Sequence, residues 1–150
     1  MSTIKQVVLE FEELNRCLKT SEIEIFALNE FKQILQERIF KFARTVDNTF
    51  FGVYKSASYK KKREDAGRQT KYKDLQFTGE LLGDLDLGQY NGKNALGFAA
   101  ERSKNIVSWQ EESNKQIDKP IFSANQEEVD IVFEKIDEEL DRIIAECLNT

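Results

Sequence analysis

Hydrophobic and polar positions alternate along this chain with two different periods. Val7, Val8, Phe11, Leu14 and Leu18 recur at helical spacing, while Glu10, Glu12, Glu13 and Arg16 fall largely elsewhere, which predicts a helix over about Ile4–Leu18. Thr20-Ser21 interrupts the pattern. Ser21 with Glu24 three positions on is a capping-box signature that starts a second helix. Its apolar positions, Leu28, Phe31, Leu35, Ile39, Phe42 and Val46, form one continuous stripe, the core face of a domain rather than a free coiled coil. Asp47-Asn48-Thr49 is expected to end it. A shorter helix is predicted over Arg102–Ser113, burying Ile106, Val107 and Trp109, with Trp109 read as a core anchor rather than a binding platform. After the single proline, Pro120, a last helix starts at a Ser123/Gln126 capping box, with Glu127 and Glu128 at its positive end. Its stripe is Val129, Val132, Phe133, Ile136, Leu140, Ile143 and Cys147.

The strand-period stretch lies between. Asn91-Gly92 is the strongest two-residue hairpin turn, because both residues accept positive φ. A two-residue loop there pairs Tyr90 with Lys93, Leu87 with Leu96, and Leu85 with Phe98. That register puts Leu85, Leu87, Leu96 and Phe98 on one face and Asp84, Asp86 and Tyr90 on the other. Gly88 and Gly97 are small strand positions compatible with a bulge or with close packing. The pattern therefore predicts an α+β fold with N-terminal helices, a small antiparallel hairpin sheet, a short helix and a long C-terminal amphipathic helix. A further strand near Leu75–Phe77 is the one open element. A two- or three-stranded sheet is marginal alone, so helical stripes must cover its apolar face.

Composition narrows the chemistry. At 150 residues the chain suits one domain over 1–150, large enough to bury a core without metal or disulfide staples. Ile25–Leu28 is among the longest clean apolar runs, far short of the ~20 residues of a membrane span. The N-terminal residues lack the basic-then-apolar layout of a secretory signal. There is no histidine, which removes the commonest general base, every Ser-His or Cys-His pair and the commonest metal ligand. Cys17 and Cys147 have no CxxC partners, which argues against zinc; both read as small buried hydrophobes in a reducing compartment. Asp84-Leu85-Asp86 resembles the start of a calcium loop, but Gly88 and Ala95 stand where ligands are required. Gly88 and Gly92-Lys93 are too close together for a P-loop, and Asn94 replaces its Ser or Thr. The expectation is no catalytic residue, no cofactor and no metal. A carboxylate-only enzyme stays open, since acids are plentiful, but no spacing singles out a pair.

Residues 55–73 have no apolar period. Eight basic residues against Glu64 and Asp65 give this stretch a charge of +6, so that the rest carries −11 of the chain's net −5. With Gly67 interrupting, it reads as a basic, exposed, mobile loop or arm. Its candidate interface residues are Tyr59, Lys60, Lys61, Lys62, Arg63, Arg68, Lys71, Tyr72 and Lys73. Three roles stand side by side: a solvated loop, a segment ordered on contact with a partner protein, and a nucleic-acid contact with tyrosines stacking on bases.

From Lys71 to Leu148 the order of features resembles the tail-completion or neck proteins of tailed bacteriophages, which are virion-morphogenesis families. The resemblance is carried by Lys73-Asp74-Leu75-Gln76-Phe77-Thr78-Gly79-Glu80-Leu81, a basic loop leading into a Thr-Gly-x-Leu turn. The hairpin follows, then the short helix around Asn105–Glu111, the connection Lys119–Ser123 and the final amphipathic helix. The resemblance implies a non-enzymatic structural subunit that forms a homo-oligomeric ring at the head–tail junction. Its partners would be copies of itself and neighbouring portal, connector or tail proteins. DNA would pass through the channel without specific binding, and no membrane is involved. The implied location is the virion, and the host cytoplasm during assembly. Thr78, Gly79, Asn91 and Gly92 would be structural turn residues. The alternative is a small nucleic-acid-binding or regulatory protein that uses the basic arm 60–73.

Overall fold

The computed structural model describes residues 12–13, 15–76, 79–115 and 120–149, with the backbone alone at 113–115. Most of the expected first helix lies outside the described residues; 12–13 and 15–17 are helical. The elements are α1 (Thr20–Gln36), continued by a π-helical turn (Glu37–Lys41), α2 (Ala57–Asp65), α3 (Glu80–Asp84), β1 (Leu85–Tyr90), β2 (Lys93–Phe98), α4 (Glu101–Lys115) and α5 (Gln126–Leu148). The fold is α+β.

The hairpin has the register that its turn chemistry predicts, Leu85↔Phe98, Leu87↔Leu96 and Tyr90↔Lys93. Asn91 and Gly92 sit at φ 50° and 75°, the two positive values a primed two-residue turn needs. Leu85 is buried, Leu87, Leu96 and Phe98 are half-buried, and Asp86 and Tyr90 face solvent. No strand forms at Leu75 and Gln76: Leu75 bends at φ 56°. Phe77 and Thr78 lie outside the described residues. Gly79, at φ 83°, opens the helical turn α3, which runs directly into β1.

The second helix departs from expectation at both ends. Its N-cap position is Lys19, with no side-chain cap, so the Ser21/Glu24 box is not used. At the other end the amide of Phe42 bonds to the carbonyl of Glu37 (3.0 Å), a wide turn with one extra residue. One extra residue rotates the following positions by about 100°. Phe40 and Ala43 therefore enter the core and Phe42 turns outward, where the periodic stripe had placed Phe42 inside. Ala43 at φ 53° then stops the helix, and a bridge between Arg44 and Phe50 closes the Thr45–Thr49 turn. Burying Leu35, Ile39, Phe40, Ala43, Phe51, Leu81, Leu85 and Ile121 together makes the main core, against which Leu96, Phe98, Ile106, Val107 and Phe122 pack. Phe98 and Phe122 meet edge to face at 5.7 Å.

The last two helices also correct details. α4 turns Ser103, Ile106, Val107 and Gln110 inward, and Trp109 lies outside that sector at 65% exposure rather than anchoring the core. α5 begins two residues later than expected, at a complete Asn125/Glu128 capping box. The Glu128 carboxylate is wanted twice. Its Oε2 accepts from the Asn125 amide (3.0 Å), and its Oε1 accepts from Nε of the buried Arg38 (2.5 Å). Along α5, Val132 and Cys147 are buried while Phe133 is 61% exposed. Cys17 and Cys147, read as separate reduced thiols, form a disulfide with a Cα–Cα distance of 6.1 Å. The fold brings together two residues whose separation of 130 in sequence hid the pairing.

Candidate interaction surface

Residues 55–73 are not a loop throughout. Ser56 caps α2 by accepting from the Tyr59 amide (3.3 Å), and Ala57–Asp65 is helical. Lys, Arg, Glu and Ala are strong helix formers, so this helix forms without the apolar stripe that periodicity detects. The segment is also tied down. Arg63, expected to be exposed, has no exposed surface. Its Nε donates to the Gln69 carbonyl (2.9 Å), Nη1 to the Gln76 carbonyl (3.1 Å), and Nη2 to both carboxylate oxygens of Asp74 (3.0 Å each). The guanidinium lies 4.6 Å from the Tyr54 ring centroid. Asp74 further accepts from the Tyr54 hydroxyl (2.9 Å), the Gln69 amide (2.7 Å) and the Gln76 backbone amide (3.0 Å).

This clasp reshapes the acid–base behaviour of its members. Burial pushes the Tyr54 phenol up to about 12, helped by the Asp74 carboxylate its hydroxyl bonds to. Partial burial acts to raise the Asp74 carboxyl. Donation from Gln69, the Gln76 amide and Tyr54, with the Arg63 charge, outweighs it and holds Asp74 below the usual carboxylate range.

Of the remaining candidates, Lys61, Lys62, Arg68 and Lys71 face solvent, while Tyr59, Lys60, Tyr72 and Lys73 are half-buried. Tyr59 packs on Tyr54 with centroids 5.3 Å apart. Tyr72 packs on Phe50 at 5.6 Å. The structure thus divides the basic segment. Arg63 holds the fold, and the other cations decorate its outside.

Tyr72 belongs to a surface that periodicity did not reveal. The Arg44 guanidinium lies 3.7 Å from the Phe50 centroid, and its Nη1 donates to the Asn48 carbonyl (3.1 Å). Lys41 sits 5.2 Å over the Phe42 ring. Phe42, Phe50 and Val53 are each about half exposed, at 52%, 51% and 54%. The sequence signal was the pair Phe50-Phe51 straight after a turn, of which only Phe51 is buried. The second open feature is the hairpin. Each strand has one strand partner among the described residues, which leaves two backbone edges free of pairing. Lys32 to Asp86 (2.8 Å) and Asn94 to Glu24 (3.3 Å) fasten it beside α1.

Among the described residues, no three His, Cys, Asp or Glu side chains are grouped to hold a metal ion, and no helix is long and apolar enough to cross a membrane. No family model, no curated protein and no solved structure matches this chain.

Proposed function

We propose that the chain is a structural subunit of a tailed-phage particle, a neck or tail-completion protein that forms a ring around the DNA channel at the head–tail junction and performs no chemistry. The observation that carries this reading is the order of elements after the basic segment. A left-handed Gly79 turn leads into the β1–β2 hairpin, followed by the short α4 and then the long α5. The resemblance implies that same order. The free hairpin edges give such a subunit a place to add strands from a neighbour. The acidic remainder of the chain repels phosphate, which suits a channel along which DNA slides. Particles lacking the protein test the reading: adding the purified chain is expected to restore a collar at the head–tail vertex in electron micrographs. Particles that gain no density would overturn it.

The alternative, a nucleic-acid-binding or regulatory protein using residues 60–73, draws support from the aromatic–cation surface formed by Arg44, Phe50 and Tyr72. It predicts salt-dependent affinity of the isolated chain for DNA or RNA, whereas the ring subunit is expected to show little.

A further inference from the structure

The ring reading leaves open how one copy meets the next, and two surfaces of this chain answer each other. The first is the Arg44–Phe50–Tyr72 stack, with Lys71 and Lys73 on either side of Tyr72 in sequence, together with the half-exposed Val53 and Phe42 and with Lys41, which lies over Phe42 and pairs with Glu37 (3.4 Å). Half-exposed aromatics stacked with arginine are the residue types that dominate the centres of protein interfaces. The second is the outer side of α5. This helix has nine acidic residues against Lys135 and Arg142, a net of −7. Both of its cations are already engaged, Lys135 with Glu30 (3.0 Å) and Arg142 with Glu139 and Glu146 (2.5 and 2.7 Å). Opposite the buried Val132, the exposed Asp130, Glu134, Asp137 and Asp141 recur at helical spacing in one line. Phe133 projects beside that line, 61% exposed.

We propose that the outer side of α5 in one copy docks on the Arg44–Phe50–Tyr72 surface of the next, with Phe133 against the aromatic stack and the acidic line against Lys41, Lys71 and Lys73. This rests on the ring reading and specifies its contact. Repeated head to tail, this contact is heterologous, the kind that closes into a ring when the rotation permits; a species that stops at the dimer in native mass spectrometry would mean both contacts form reciprocally about a two-fold axis and would overturn the ring contact. Opposite charge sets the register, and the apolar centre holds it.

Charge reversal on each side tests it with the full-length chain. Lys71→Glu with Lys73→Glu, and separately Glu134→Lys with Asp137→Lys, are each expected to weaken self-association at least tenfold by light scattering or native mass spectrometry. A chain carrying all four changes is expected to recover most of the loss, because both sides of the contact have swapped sign. Phe133→Ser is expected to weaken assembly without changing net charge, and unchanged circular dichroism shows that each variant folds. A fourfold variant no better than either parent overturns the proposal while wild-type assembly keeps the ring reading alive. The same holds if only the lysine pair matters, and if that pair instead governs binding to a DNA oligonucleotide. A wild-type chain that neither self-associates nor restores a collar brings down both.

Discussion

Single residues in this chain carry more of the fold than their chemistry advertises. Arg63 sits in a run of cations and looks solvated, yet among the described residues it is the largest fully buried side chain, and it bonds three residues of the 69–76 segment at once. Truncating one member of a buried ion pair strands the other. Arg63→Ala is therefore expected to cost about 3–5 kcal/mol in urea unfolding, against a few tenths for Lys61→Ala on the exposed side of α2. The clasp also sets pH limits. Asp74 is depressed in the folded state, so its contribution is present at neutral pH and disappears as acid carries the pH down through the folded value. Tyr54 works in the other direction. Raised from 10.0 to about 12, it contributes fully below pH 10 and loses that contribution as pH climbs toward 12, because the unfolded phenol ionises first. Unfolding free energies at about pH 9 and pH 11.5 are expected to fall for the wild type by about 1–3 kcal/mol more than for Tyr54→Phe. An equal loss in both proteins would refute the assignment.

At the scale of elements, what the sequence makes legible is what neighbours in sequence decide. The hairpin follows from Asn91-Gly92 and the alternation around it, both local, and its register comes out as read. The α5 stripe is legible for the same reason, apart from Phe133. The π-helical turn at Glu37–Lys41 is not legible, because its cause is distant. Arg38 must reach the carbonyls of Arg44 (3.0 Å), Ile121 (2.9 Å) and Ser123 (2.7 Å) as well as Glu128. Those partners lie up to 90 residues away, and gathering them rotates the end of the helix out of its period. The same distance explains why the α5 capping box was misplaced by two residues. Glu128 serves as both cap and ion-pair partner, and only the first role leaves a local trace. The candidate surface was half legible. Lys71, Tyr72 and Lys73 announced themselves as a basic run, while Arg44 and Phe50 join them only through the fold. These roles separate experimentally. Arg38→Ala leaves a buried carboxylate unpaired and is expected to destabilise by about 3–5 kcal/mol; pairing Arg38→Met with Glu128→Leu is expected to recover part of that, since no buried charge remains. A double variant less stable than Arg38→Ala would show that the capping half of Glu128 outweighs the ion pair.

For the whole molecule, the decisive link is the one between its two ends. Cys147 near the end of α5 is joined to Cys17, in the helical residues that precede α1, so the bond encloses nearly the entire described chain. A cross-link over so long a loop restricts the unfolded chain strongly, and native disulfides are typically worth about 2–4 kcal/mol. Val132 and Cys147 are the two buried apolar side chains of α5. The helix meets α1 at the Lys135–Glu30 pair and brings the half-buried Ile143 beside Ile23, with Phe133 left outside. Reduction should therefore loosen this end of the molecule first, while the hairpin and the Arg63 clasp, which share no residue with it, persist. Hydrogen exchange with and without dithiothreitol tests this directly. Protection is expected to fall over 139–148 on reduction, with little change over 85–98 and 57–65. Cys17→Ser is expected to reproduce the reduced pattern without reductant and to show no further response to it. Uniform loss of protection in all three regions would mean that the chain unfolds as one cooperative unit, with the bond holding the whole core rather than one end. If the wild type, denatured without reductant, reacts with two equivalents of a thiol reagent, the bond is absent and nothing ties Cys17 to Cys147 in solution.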